Sequence, residues 1–245
     1  MRLCGAATEP VVLRKVIEMT KTNKTILLLC TVLLFVPIAA QSLDLTLGAR
    51  VGLGHTGFYG PDYEKYKDRG GLTYARSALK LGFSGGLYTT LGFLPFLALQ
   101  PEVLFSISGD THRNEDTVRT ANIHFLEIPV LVKARLAAGP GLASIFAGPT
   151  FDIKLGAGKL IVEDTDGGSK VETNLDAEDV NPFLLGVLFG GGYDLPLGPG
   201  TLSMDLRYKF GITEVHPDDF NSDNQVRESK VLLTIGYGIT LYRSD

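Results

Sequence analysis

Ionised residues punctuate the apolar segments of this chain: Arg50, Lys80, Glu102, Glu127, Lys133, Arg135, Asp152, Lys154, Asp205, Arg207, Lys209 and Lys230. In FLEIPVLVKARL (125–136) the alternate set Leu126, Ile128, Val130, Val132, Ala134 and Leu136 is wholly apolar. The other set, Phe125, Glu127, Pro129, Leu131, Lys133 and Arg135, carries three charges. Successive side chains of a strand point to opposite faces. The spacing therefore collects acids and bases on one face. Both signs enclosed in a dry space form either an ion or proton path or a set of locked pairs. The cost of leaving a buried charge unpaired favours the pairs.

Other chemistry is thinly supported. The histidines, His55, His112, His124 and His216, fall in or next to long polar connectors. His124 with Ser106 and Glu102 is the one combination on neighbouring segments that a rim hydrolase or acyltransferase would use, and no G-x-S-x-G accompanies it. No His/Cys spacing suggests zinc. The acidic stretches VEDTDGG (162–168), ETNLDAED (172–179) and HPDDFNSD (216–223) lack the spacing of a calcium loop. FYGPDYEKYKDRGG (58–71) mixes tyrosines with both charge signs, as an adhesive surface does. The reading is of no catalytic residues, no cofactor and no metal site.

The elements that must position these charges are strands. Alternation recurs in 43–53, 77–88, 96–107, 125–136, 142–155, 183–195, 201–212 and 229–242. It is clearest in TLSMDLRYKFGI, where Leu202, Met204, Leu206, Tyr208, Phe210 and Ile212 oppose Ser203, Asp205, Arg207, Lys209 and Gly211. The connectors TTLGFLP, AAGPG and PLGP are short and carry Gly/Pro turn chemistry. Residues 54–76, 108–121, 156–182 and 213–228 are long and polar. Eight strands, with short turns at one end and long loops at the other, are the pattern of an outer-membrane barrel. Lipid demands a closed sheet, and eight strands leave an interior that side chains just fill. The fold class expected is all-β: an eight-stranded antiparallel up-and-down transmembrane β-barrel, greasy faces to lipid, charges and glycines inward. Phe105, Phe151, Phe183 and Phe210 near the top and Tyr193 near the bottom share the outward parity of an aromatic girdle. Pro101, Pro129 and Pro149 lie inside strands, where each removes a ladder donor. β-Bulges are the expected accommodation.

Bulk properties agree. The chain of 245 residues is 44% hydrophobic and 20% charged, with 29 glycines and no tryptophan. A formal net charge of −4 speaks against a nucleic-acid partner. Ile26–Ala40 (ILLLCTVLLFVPIAA) is too short to span a bilayer as a helix. With Lys21 and Lys24 before it and Ala39 and Ala40 at its end, it reads as a signal peptide. The domain reading is 1–18 an upstream extension ahead of Met19, 19–40 a cleaved signal peptide, and 41–245 the barrel. Both cysteines, Cys4 and Cys30, fall in the leader, so the barrel has no disulfide framework. Leu29 stands where a lipoprotein site needs a small residue.

QPEVLFS (100–106), LEIPVLVKARL (126–136), AGPTFD (147–152), GVLFGGGYDL (186–195), LRYKFGIT (206–213) and VLLTIGYGITLY (231–242) together resemble the PorT-like, OmpA-like eight-stranded outer-membrane β-barrel family of Gram-negative bacteria. The resemblance covers 43–242. It implies a cell-envelope protein in the outer membrane, partnered by outer-membrane lipid and by the assembly machinery. Such barrels commonly finish on an aromatic residue, whereas here Arg243, Ser244 and Asp245 follow Tyr242. The functional expectation is a monomeric barrel with a structural or surface-interaction role, meeting an extracellular ligand through its long loops. It is not a large-pore porin. The alternatives are a lipid-modifying enzyme at the barrel rim, and a soluble lipocalin-like binder with inverted strand faces.

Overall fold

A computed structural model describes residues 44–60, 76–78, 80–113, 117–156, 158–164, 170–174, 181–215 and 226–242. The segments read as extension and signal peptide, 1–18 and 19–40, lie outside the described residues. Long strands β1 (Asp44–Tyr59), β3 (Lys80–Leu94), β4 (Leu97–Ser108), β6 (Thr117–Ala138), β7 (Gly141–Lys154), β10 (Phe183–Leu197), β11 (Gly200–Gly211) and β12 (Arg227–Tyr242) form the ring. Each pairs antiparallel with its neighbours, and β1 meets β12 from Leu45↔Tyr242 to Tyr59↔Arg227, so the sheet closes. Closure is what lipid requires, because an open edge would leave backbone groups unpaired.

The strand faces follow the alternation. Leu206 is 59% exposed and Leu233 62%, whereas Asp205 is 1% exposed and Arg207 2%. A soluble binder with an apolar cavity needs the reverse. Phe105, Phe183 and Phe210 are exposed on the outer face. Phe151 stacks on Phe183, with ring centroids 6.4 Å apart. At the short-turn end Phe96, Tyr237 and Tyr242 add to Tyr193 on the same face.

Each of the three short hairpins is closed from the next strand along the wall. The turns Ala138-Gly139-Pro140-Gly141 and Leu197-Gly198-Pro199-Gly200 share Gly-Pro-Gly, and Gly139 and Gly198 both sit at φ 59°. That left-handed conformation favours glycine. Tyr193 donates its hydroxyl to the Ala138 carbonyl at 2.7 Å, and Tyr237 donates to the Leu197 carbonyl at 2.9 Å. Arg135 donates to the Leu94 carbonyl at 3.4 Å over the third hairpin. A Cβ on Gly141 would strike the Asp194 carbonyl and come within 2.8 Å of the Tyr193 ring, and one on Gly200 would strike the Gly238 carbonyl and come within 2.7 Å of the Tyr237 ring.

Two expectations are corrected. The connectors at the other end are partly strands. β2 (Arg76–Ala78), β5 (Thr111–Arg113), the first part of β6, β8 (Lys159–Asp164) and β9 (Lys170–Asn174) form a second sheet in the order β2-β5-β6-β8-β9. β1 also runs on to Tyr59, and β12 begins at Arg227. These extensions carry threonines and charges rather than the greasy alternation that lipid imposes. The prolines, second, are not at bulges. The register of β3–β4 passes from Tyr88↔Glu102 to Leu91↔Leu99 with its offset unchanged. That of β4–β6 passes from Pro101↔Val130 to Leu104↔Glu127, and that of β6–β7 from Pro129↔Thr150 to Val132↔Ala147, likewise unshifted. No residue is inserted; two pairs are skipped in each seam.

Candidate functional site

The lumen is built in layers by the inward face of the ring. Nearest the short turns, Arg50 (β1), Glu102 (β4), Lys133 (β6), Asp194 (β10), Asp205 and Arg207 (both β11) form a lower cluster. Arg207 grips both oxygens of Glu102, Nη1 to Oε2 at 2.7 Å and Nη2 to Oε1 at 3.0 Å, and also reaches Asp205 Oδ2 at 2.9 Å. Arg50 Nη1 meets the same Asp205 oxygen at 2.8 Å and Glu102 Oε1 at 3.2 Å. Lys133 holds Asp194 at 2.8 Å. The planar arginine fork suits a carboxylate held by two parallel bonds. Gln100 donates to Glu102 Oε1 at 2.6 Å, and Tyr88 and Phe146 lie under the Arg50 and Arg207 guanidiniums. This layer holds three bases and three acids.

Above it sit Glu127 (β6), Asp152 (β7), Lys209 (β11), Glu228 and Lys230 (both β12). Lys209 Nζ lies 3.0 Å from Glu127, 2.6 Å from Asp152 and 2.8 Å from Glu228. Lys230 Nζ meets Glu127 and the Ser106 hydroxyl, each at 2.5 Å. The three carboxylates offer oxygens within 4.8 Å of one another, a spacing that suits a metal ion. The Lys209 ammonium stands among them, so their natural counter-ion is the protein's own. No metal was expected from the sequence, and this geometry gives none a place without displacing Lys209.

An apolar cap of Ile123, Phe125, Leu184 and Val215, with Phe58 packed against it, closes the loop end. A second apolar group, Leu131, Phe146 and Leu188, lines one side at mid-depth. The expectation of a polar interior is thus corrected. Greasy side chains fill the lumen alongside the paired charges.

Of the charges read from sequence, Arg50, Glu102, Glu127, Lys133, Asp152, Asp205, Arg207, Lys209 and Lys230 come together in these layers. Lys80 and Arg135 do not. Lys80 bonds Asn122 near the loop end, and Arg135 caps the Leu94 carbonyl at the lower rim. Both stand at the ends of their strands' lipid-crossing segments, where the inward face opens to water. Lys154, at the end of β7, is half-buried. Two participants were passed over. Glu228 falls in the connector 213–228 expected from the sequence, but β12 begins at Arg227 and the alternation of Lys230 extends back through it. Asp194, buried near the end of β10, is not among the charges read from the sequence.

The combination His124, Ser106 and Glu102 is not formed. Ser106 and Glu102 point inward, to Lys230 and Arg207, while His124 lies on the outer face against Phe105, ring centroids 5.7 Å apart. His112 Nε2 faces Asp110 at 3.3 Å in a buried position, His55 is exposed, and His216 is outside the described residues. Of the acidic stretches, Glu163 and Asp164 end β8 and Glu172 lies in β9, 3.6 Å from Lys170. Residues 216–223 and most of 58–71 lie outside the described residues.

A family model for the outer membrane protein beta-barrel domain matches residues 39–216. No curated protein matches the chain. Among solved structures, the chain is similar to Neisserial surface protein A (NspA), at 14% identity over 78% of this chain and 95% of that one, TM-score 0.38. Ail, the attachment invasion locus protein of Yersinia pestis, is 11% identical over 81% of this chain and 99% of that one, TM-score 0.34. The outer membrane enzyme PagL is 12% identical over 77% and 97%, TM-score 0.39.

Proposed function

Because the chain belongs to the family of outer membrane protein β-barrel domains, we propose that it is a non-catalytic, non-conducting barrel of the outer membrane whose work is done by its loop end. The observation that carries this reading is the filled lumen: two layers of locked charge beneath an apolar cap. An eight-stranded ring has no spare cross-section for a water column. What remains available is the outside of the cylinder and the second sheet that rises from β6. Outer-membrane lipid and the assembly machinery are the partners this reading implies. The monomeric state is part of the proposal, as is export through a cleaved leader, for which the basic and apolar run 21–40 speaks. LEIPVLVKARL and GVLFGGGYDL support a PorT-like affinity within the family.

The role is structural or interactional: stiffening the membrane, or presenting the loop-end sheet to a ligand on another surface. The test is a barrel whose β8–β9 hairpin, residues 159–174, is replaced by a short turn. On the reading offered, cells bearing the trimmed protein keep the folded barrel in the outer membrane and lose adhesion to host or neighbouring cells that the intact protein confers. Equal adhesion by both, or a lipid-modifying activity that persists in the purified protein, contradicts it.

A further inference from the structure

A closed ring has no edge, but the second sheet ends in two, β2 and β9. Among the described residues β9 (Lys170–Asn174) pairs with β8 alone, from Glu163↔Lys170 to Lys159↔Asn174. The opposite edge, β2, is three residues long. An unpaired edge offers a row of N–H and C=O groups to another strand, and proteins ordinarily blunt it with charge, proline or a bulge. β9 holds no proline and no break in register, and Lys170, Val171, Glu172 and Thr173 are all exposed.

The charges of β9 select what pairs with it. When two copies of one strand meet antiparallel in a continued sheet, a two-fold axis passes through one residue, which faces itself, and its neighbours face each other. Centred on Lys170 or on Glu172, the axis brings like charges together. Centred on Val171, it sets each Lys170 opposite the other copy's Glu172, around a contact of valine with valine. Opposite charges and β-branched side chains are the favourable cross-strand pairs, and like charges the unfavourable ones. Val171 is 57% exposed, so the pairing covers apolar surface as well. Within one copy Lys170 Nζ lies 3.6 Å from Glu172, with both side chains half exposed. Such a contact is weak and exchanges readily for its equivalent across the axis.

Geometry also fixes where the second copy stands. β8 lies antiparallel along the start of β6, from Thr117↔Asp164 to Asn122↔Lys159, and β9 lies along β8, so β9 runs with the barrel wall. Antiparallel pairing of β9 with itself therefore inverts one barrel relative to the other. Two copies inserted the same way in one membrane cannot meet so; copies on two facing membranes can. We propose that β9 is a self-recognition edge, joining barrels on apposed outer membranes through Val171 and the Lys170–Glu172 pairs. The inference rests on the loop-end role proposed above and makes its ligand a second copy of this chain. The barrel stays a monomer within its own membrane. Five residues of edge cover far less than the surface of a stable interface, about 1,200 Å². Single contacts are accordingly weak, and adhesion comes from many copies acting together.

The test uses two cell populations that express the full chain and differ in fluorescent colour, with mixed clumps counted by flow cytometry. Wild type is expected to clump with itself. Lys170→Glu and Glu172→Lys each set like charge against like and lose self-clumping. Mixing one variant with the other restores opposite charges at both pairs and returns clumping to the wild-type level. Heat-modifiable gel mobility shows that each variant is folded. Single variants that still clump with themselves, or a mixture that does not clump, overturn the pairing. Wild type that adheres to cells lacking the chain but not to itself also overturns it and leaves the loop-end role standing. Clumping that survives replacement of the whole β8–β9 hairpin overturns both.

Discussion

The lower and upper charge layers of the lumen solve one problem in two ways. The lower layer is neutral and redundant. Two arginines share Glu102 and Asp205, and Lys133 holds Asp194 separately, so each of the shared carboxylates meets more than one cation. The upper layer sets three carboxylates against two lysines, and Lys209 alone touches all three. A lysine is a compact point charge that several acids can surround, whereas an arginine fork commits to planar pairs. Redundancy therefore resides below, and the upper layer depends on one ammonium.

The largest effect expected from this contrast is that of Lys209→Met. Removing one partner of a buried charge group costs roughly 3–5 kcal/mol, and here three acids lose their common neighbour. Unfolding in urea from lipid vesicles measures it. Arg207→Met also strands Glu102 and Asp205, but Arg50 remains within 3.2 Å of both. Its loss falls at or below the low end, about 2–3 kcal/mol. Should Arg207→Met prove the more damaging, the contrast between the layers is broken. Lys230→Met comes next, at about 1–3 kcal/mol, because Lys209 still serves Glu127. Glu228→Gln sharpens the comparison most at the small end. It removes the surplus negative charge of the upper layer and should change stability by less than about 1 kcal/mol, whereas Glu102→Gln breaks a two-pronged arginine pair and costs about 1.5–3 kcal/mol. Raising ionic strength from low to molar salt should leave all five differences nearly unchanged, since buried pairs are screened far less than surface ones.

Much of this was legible in the sequence, for a physical reason. Lipid on one side and a narrow lumen on the other force strict alternation, so Leu202 to Ile212 and Val231 to Leu241 declare their faces residue by residue. The same force explains where reading stopped. Thr117–Asn122 and Lys159–Asp164 rise clear of the greasy band, and with no lipid against them they keep no alternation that marks a strand. Glu228 looked like loop because Ser222, Asp223, Asn224 and Gln225 precede it. Arg135 has the parity of the lumen and the position of the rim, and only coordinates reveal that it caps Leu94. Leu104, Leu184, Leu188 and Leu232 are apolar on a face expected to be polar, because a sealed cylinder needs bulk wherever charges leave gaps. The prolines were visible as a difficulty, but their resolution was not. Skipped pairs across three adjacent seams depend on which strands are neighbours and on their register, and neither is written in any one segment.

A filled lumen whose charges hold one another carries no ionic current. Its most direct test is electrical: the purified protein inserted into a planar bilayer in molar potassium chloride, with current recorded under steady voltage. The expected result is no lasting increase over the bare membrane once insertion is verified by protease protection. Uniform, reproducible steps of ionic current from the inserted protein would contradict it.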